Sequence, residues 1–210
     1  MTDHPDPTSG PLPPKPVNLD RIQEGMRLVL EGLGQEGKDE VMRNTPRRIA
    51  EMWTQAINPP DVDVEADFRV FPNPGLAGDD AIYVEAVHYV SWCEHHLAPA
   101  FGVATLGYVP DEHVAGYSKL KKALNYVTRQ PQLNERIIVE ALDFLEGRLQ
   151  PKGIALVTKS VHCCIAVRTN APSQEIVTIQ GTRGLFATDP VLRADFRARV
   201  DATRPLFTGG

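Results

Sequence analysis

Ala81-Ile82-Tyr83-Val84-Glu85-Ala86-Val87-His88-Tyr89-Val90 and, a short segment later, Phe101-Gly102-Val103-Ala104-Thr105-Leu106-Gly107-Tyr108-Val109 decide how this chain folds. Both stretches are rich in β-branched and aromatic residues, which pack well on a pleated surface, and both read as strands. Downstream the apolar period changes to that of a helix. Leu120, Ala123, Leu124 and Val127 predict one helix from near Ser118, and Ile137, Ala141, Leu142 and Leu145 predict another from about Leu133 to Leu149. Two more strands are expected over roughly 154–168 and 175–181 as an antiparallel pair. A last helix opens at Asp189-Pro190, a cap followed by proline, with Leu192, Phe196 and Val200 on one side. The order strand-strand, helix-helix, strand-strand is an α+β pattern, an antiparallel sheet with helices on one face. Strands flanking the helix pair would leave open edges in a single copy, so an oligomer is expected.

Upstream, Ile22, Met26, Val29, Leu30 and Leu33 follow helical spacing from Leu19, and Gly34 is a plausible stop. A second helix is expected with Thr45 as cap, Pro46 at its first position, Ile49, Met52, Trp53 and Ile57 on its apolar face, and Asn58-Pro59-Pro60 as its end. Residues 1–17 are rich in proline and small polar residues and read as a flexible tail. The expected organisation is a tail over 1–17, a helical segment over 18–60 and a main domain over 61–210.

Composition narrows the function. The 210 residues, 42% of them hydrophobic, are enough for one well-cored domain. A net charge of -5 argues against a general nucleic-acid binder. No apolar run approaches the roughly 18 residues of a membrane span, and the N-terminus lacks the basic start and apolar core of a secretory signal. Three cysteines, two of them adjacent, make a poor disulfide framework. A cytoplasmic protein with reduced, metal-competent thiols is the expectation.

Cys93 and His96, in Ser91-Trp92-Cys93-Glu94-His95-His96, have the Cys-x-x-His spacing that aims a thiolate and an imidazole at one cation. Much later stands Val161-His162-Cys163-Cys164, expected within a strand. Alternation there puts His162 and Cys164 on one face and Cys163 on the other. Cys93, His96 and Cys164 then offer zinc three ligands and leave a fourth position open, the arrangement of a catalytic site. Taken alone, a Cys-Cys pair is more often buried apolar packing. That reading would leave Cys93, His95, His96 and His162 as coincidence.

Cys93-Glu94-His95-His96 followed by Leu97, Pro99 and Phe101-Gly102 resembles the signature of GTP cyclohydrolase I. The resemblance continues through Gly116-Tyr117-Ser118-Lys119, Arg129-Gln130-Pro131-Gln132-Leu133-Asn134-Glu135-Arg136 and His162-x-Cys164 to Arg168. Thr45-Pro46-Arg47-Arg48 and Arg183-Gly184-Leu185-Phe186 match flanking segments, so the likeness spans about residues 19–200. It implies a tunnelling fold, in which oligomerisation joins sheets into a barrel, usually as a homodecamer with sites between subunits. It also implies conversion of GTP and water to 7,8-dihydroneopterin triphosphate and formate.

The residues suit that chemistry. Zinc lowers the pKa of bound water from about 15.7 to about 7, supplying a nucleophile for purine C8. N7 must gain a proton, and a histidine is suited to give it. His162 is the first choice and His95, beside His96, the second. Glu135 offers two acceptors to the N1–H and exocyclic amine of guanine. Asn134 precedes it, where the family usually has glutamine. Ser118, Lys119, Lys122 and Arg168 form the expected triphosphate cradle, with Lys119 and Lys122 one helical turn apart. Read alone, Glu135 would be a dipole-friendly acid and the lysines a solvated face.

Three departures bear on the phosphate end. Lys122 stands where the family usually has arginine and lacks its bidentate fork. Asn134 is shorter than glutamine, and Thr169-Asn170 replace a glycine and an aliphatic residue after Arg168. An alternative is therefore a specialised relative that acts on a guanine nucleotide for another route, such as deazapurine synthesis, or that stops at the ring-opened formamide. A zinc-stabilised scaffold would not need His95, His162 and Glu135.

Overall fold

The computed structural model describes residues 17–57, 64–169 and 175–203. The chain divides into two compact units, residues 1–60 and 61–210. In the first unit, α1 (Leu19–Gly32) is capped by Asn18, whose side chain accepts from the Arg21 amide at 2.9 Å. Leu30 is buried, whereas Val29 and Leu33, expected on the same inner face, are exposed. α2 (Asp39–Ile57) begins six residues before the expected cap at Thr45, and Pro46 lies inside it. Proline's fixed φ is helical, so its cost is one missing donor and crowding of the preceding turn. The Met42 amide already bonds Lys38 carbonyl, and Asp39 and Glu40 complement the positive end of the helix. The tail over 1–16 and the stop at Asn58-Pro59-Pro60 lie outside the described residues.

The second unit opens with α3 (Val64–Asp67), β1 (Val70–Pro72), β2 (Ile82–Cys93), β3 (Pro99–Val109) and β4 (His113–Ala115). There follow α4 (Tyr117–Arg129), β5 (Pro131–Gln132), α5 (Asn134–Leu149), β6 (Gly153–His162) and α6 (Cys163–Thr169). β7 (Val177–Gly184), α7 (Leu185–Thr188) and α8 (Pro190–Ala202) complete it. β1 pairs with β4, and the main sheet is an open, curled layer in the order β5-β2-β3-β6-β7. β2, β3, β6 and β7 are antiparallel, as expected. The two-residue edge β5 is parallel to β2, so the sheet is mixed.

Alternation sorts the sheet into two faces. Val84, Leu106, Tyr108, Ile154 and Leu156 pack against Leu120, Leu124 and Val127 of α4 and Ile137, Leu142 and Leu145 of α5. The opposite face is not bare, as a one-faced arrangement requires. Val109, Ala155 and Val157 pack there with Phe186 of α7 and Leu192, Phe196 and Val200 of α8. Asp189 caps α8, accepting from the Val191 and Leu192 amides at 2.8 and 3.1 Å. Tyr83, Phe186 and Phe196 form an aromatic cluster with centroids 5.5–6.4 Å apart.

The strand expected over 154–168 ends at His162, and residues 163–169 form α6. Ile165 and Val167 suit a strand, but the ladders that β6 forms with β3 and β7 end before them. β7 reaches only Ser160, and β3 pairs back to Ala100 opposite His162. Past the ladder, a helix lets backbone groups bond within their own segment.

Tyr89, Gly102 and Ser160 lie in one row across β2, β3 and β6. The Tyr89 ring crosses directly over Gly102, where a Cβ would collide with the ring edge. Gly102→Ala is expected to cost about 1–3 kcal/mol by overpacking, read as a lower urea midpoint; an unchanged midpoint would show that the ring can move aside freely.

Candidate metal centre and base site

Strand ends build the centre. Trp92 pairs with Pro99, and Ala100 pairs with His162, so the end of β2 and the end of β6 lie at the same end of the sheet. After Cys93 the chain turns tightly. The Leu97 amide donates to Cys93 carbonyl and the Cys93 amide donates to Ala98 carbonyl, each at 2.9 Å. Leu97 adopts the left-handed region, φ 47°, a strained conformation for a leucine that sites commonly retain. The turn brings His96 back so that its Nδ1 lies 3.5 Å from Cys93 Sγ. Cys164 enters from the first turn of α6, and one ligand atom from each of the three residues lies within 4.8 Å of the others.

A tetrahedral zinc needs S–S and S–N separations of about 3.6–3.8 Å, so a small contraction completes the site. Burial, and then the adjacent Cys93, push the Cys164 thiol up, while Arg168 pulls it down. Cys93, His96 and Cys164 match the zinc site typical of the family reported below, with three protein ligands. Cys164 lies in this cluster, but strand alternation is not what places it there. Successive helical residues point about 100° apart, which separates Cys164 from Cys163.

Beside the metal ligands lies a second cluster. His162 is half-buried at the end of β6, where burial lowers its pKa and the nearby Glu135 carboxylate opposes that shift. Asn134, buried at the start of α5, donates through Nδ2 to Ser160 Oγ at 3.1 Å and lies 3.4 Å from His162 Nε2. Ser160 Oγ is itself 3.2 Å from His162 Nε2. Asn134 Oδ1 is buried without a hydrogen-bond partner among the described residues. The Tyr89 hydroxyl neighbours Ser160 and Thr158, though no bond of standard geometry joins them. Glu135 is exposed in the first turn of α5.

The remaining expected residues separate into two places. Arg168 stays near the metal ligands, its Nε donating to Cys164 carbonyl at 2.8 Å. His95 is exposed on the turn, its ring 6.2 Å from that of His96. Ser118, Lys119 and Lys122 lie at the start of α4, whereas the end of α4 leads to β5, beside Trp92 and Cys93. Arg129 lies eleven positions after Ser118 along α4, about 17 Å of rise. Within one chain these groups are not gathered at the metal centre. Lys119 and Lys122 instead bind Asp67, at 2.7 and 2.6 Å. Thr169's side chain and Asn170 lie outside the described residues.

Sequence reasoning missed Ser160, which lies two residues before His162 on the same strand face, a period-2 signal. It also missed the Glu94–Arg136 ion pair, 3.1 Å, which ties the metal-binding turn to α5. Nothing local pairs those two residues.

One end of an α+β sheet thus carries a Cys₂His cluster able to hold a metal ion, beside a half-buried histidine. Residues 22–201 match the family model of GTP cyclohydrolase I. A GTP cyclohydrolase 1 of Sulfurihydrogenibium sp. is 34% identical over 190 residues, covering 90% of this chain and 99% of that protein. That of Aquifex aeolicus is 32% identical over 86% of this chain and 95% of its own length, and that of Geobacillus sp. (strain WCH70) 36% identical over 85% and 95%. The chain belongs to the GTP cyclohydrolase I family. Among the described residues no helix is long and apolar enough to cross a membrane.

Proposed function

We propose that this chain opens the imidazole ring of GTP by hydrolysis, yielding 7,8-dihydroneopterin triphosphate and formate in the cytoplasm. The observation that carries this reading is the meeting of Cys93, His96 and Cys164 with His162, Asn134 and Glu135 at one end of the sheet. Zinc, when bound, supplies Lewis acidity that activates water toward C8. His162 gives the proton that N7 must gain, and Ser160 and Asn134 hold its ring. Glu135 accepts from N1–H and the exocyclic amine. Arg168, beside Cys164, and His95, on the exposed turn, face the same bound nucleotide.

The length of α4 bears on assembly. One chain's Ser118, Lys119 and Lys122 stand at the start of α4, the end away from β5 and the zinc ligands. Sites completed by a neighbouring copy in a homodecamer resolve this, with the open edges β5 and β7 available for pairing.

Incubation of zinc-loaded protein with GTP tests the reaction. Formate and a fluorescent oxidised pterin are expected together; a product retaining the formyl carbon by mass would place the chain among enzymes that stop at the ring-opened formamide. Glu135→Gln sets a donor amide against guanine's donors, a mismatch of about 1–3 kcal/mol. GTP turnover is expected to fall about tenfold or more with zinc retained, and unchanged kinetics would remove Glu135 from the base site.

A further inference from the structure

Asp67 closes α3, and its carboxylate reaches across to α4. One oxygen accepts from Lys119 Nζ at 2.7 Å and the other from Lys122 Nζ at 2.6 Å. The two lysines are one turn apart, so their ammonium groups are spaced for two oxygens of a single anion. A carboxylate meets that spacing, and a phosphoryl group, with neighbouring oxygens at similar separation, meets it as well. The partnership is electrostatic: the two lysine hydrogen bonds, and then their charge, hold Asp67 down to about 2. Asp67 is not on a loose loop. Val64 and Phe68 on either side are buried, and Phe68 packs edge-on against Phe144 with centroids 5.3 Å apart.

We infer that Asp67 is a built-in competitor for the phosphate cradle, an internal anion that occupies Lys119 and Lys122 until the polyphosphate of a nucleotide displaces it. The inference rests on the reading of Lys119 and Lys122 as phosphate-binding. Its consequence is a cradle that discriminates by charge density. A ligand must offer these lysines more than a single carboxylate does, and scattered monovalent anions do not. The anchored backbone at Val64 and Phe68 means that displacement is a rotation of the Asp67 side chain, with α3 staying in place.

Asp67→Asn keeps the size of the side chain and removes its charge. In the zinc-loaded enzyme it is expected to lower KM for GTP about threefold to tenfold, the range for a close but partly solvated charge pair, while kcat stays within twofold. The inhibition constant of inorganic phosphate against GTP should fall in parallel, and calorimetric titration with phosphate should show the same gain without turnover. Asp67→Ser, with thermal unfolding recorded, guards against a local effect of the amide. A KM that is unchanged or higher in both variants overturns the inference, the second outcome showing that Asp67 aligns the lysines for the ligand. Lys119→Ala separates the two levels. If it raises KM while Asp67→Asn leaves it unchanged, the competitor role alone fails. If it leaves KM unchanged, the cradle itself is wrong.

Discussion

Cys164→Ala is expected to abolish stoichiometric zinc binding and to lower turnover by more than about a hundredfold, because loss of even an outer partner of a metal ligand costs up to about that much. Zinc taken up per chain, measured by elemental analysis after gel filtration, is the direct readout. Cys93→Ala and His96→Ala should behave alike, since each removes one of three protein ligands at the same site. Cys163→Ala is the informative control. It stands next in sequence yet points away along α6, so it should retain zinc and turnover. Metal loss in Cys163→Ala with retention in Cys164→Ala would show that the other sulfur is the ligand. The proton competes with the metal for both thiols, so zinc affinity should rise with pH through the thiol range and weaken as pH falls. The upward push on the Cys164 thiol makes that competition stronger.

His162→Ala should leave zinc in place and reduce kcat about 10²–10⁴-fold, the usual contribution of a positioned proton donor. The loss should fall on kcat more than on KM, because the ring acts on N7 while Glu135 and the phosphate groups carry binding. Formate release with zinc content measured in parallel checks both halves. A greater loss in His95→Ala than in His162→Ala would reverse the two assignments. Burial lowers the His162 pKa and the Glu135 carboxylate raises it. A donor must be protonated, so activity is lost as pH rises through the histidine's pKa. Removing the opposing charge in Glu135→Gln lowers that pKa further, and the alkaline limb of its residual activity should move to lower pH.

How much of this was legible beforehand depends on the range of the interaction. Cys93, His96 and Cys164 were readable because their chemistry is in the residue types and the first two share a turn. The helix at Asp189-Pro190 was readable from its cap, and α4 and α5 from their apolar period. The start of α2 was misplaced because Thr45-Pro46 is a strong local signal for a helix start, overridden by a helix already nucleated at Asp39. Placing helices on one face failed because the period of α8 shows that it is amphipathic but not which side of the sheet it covers.

Donor identity, the paired strands at 82–109 and the cap of α8 were thus determined by the sequence itself, since each depends on residues a few positions apart. Tertiary structure alone decided that residues 163–169 form a helix, because that turned on where the ladders of β6 with β3 and β7 end. It alone decided that Asp67 meets Lys119 and Lys122, and that Asn134 meets Ser160 and His162. Such contacts join residues far apart in the chain, and no local period or propensity encodes which of many polar groups will be brought together when the core closes.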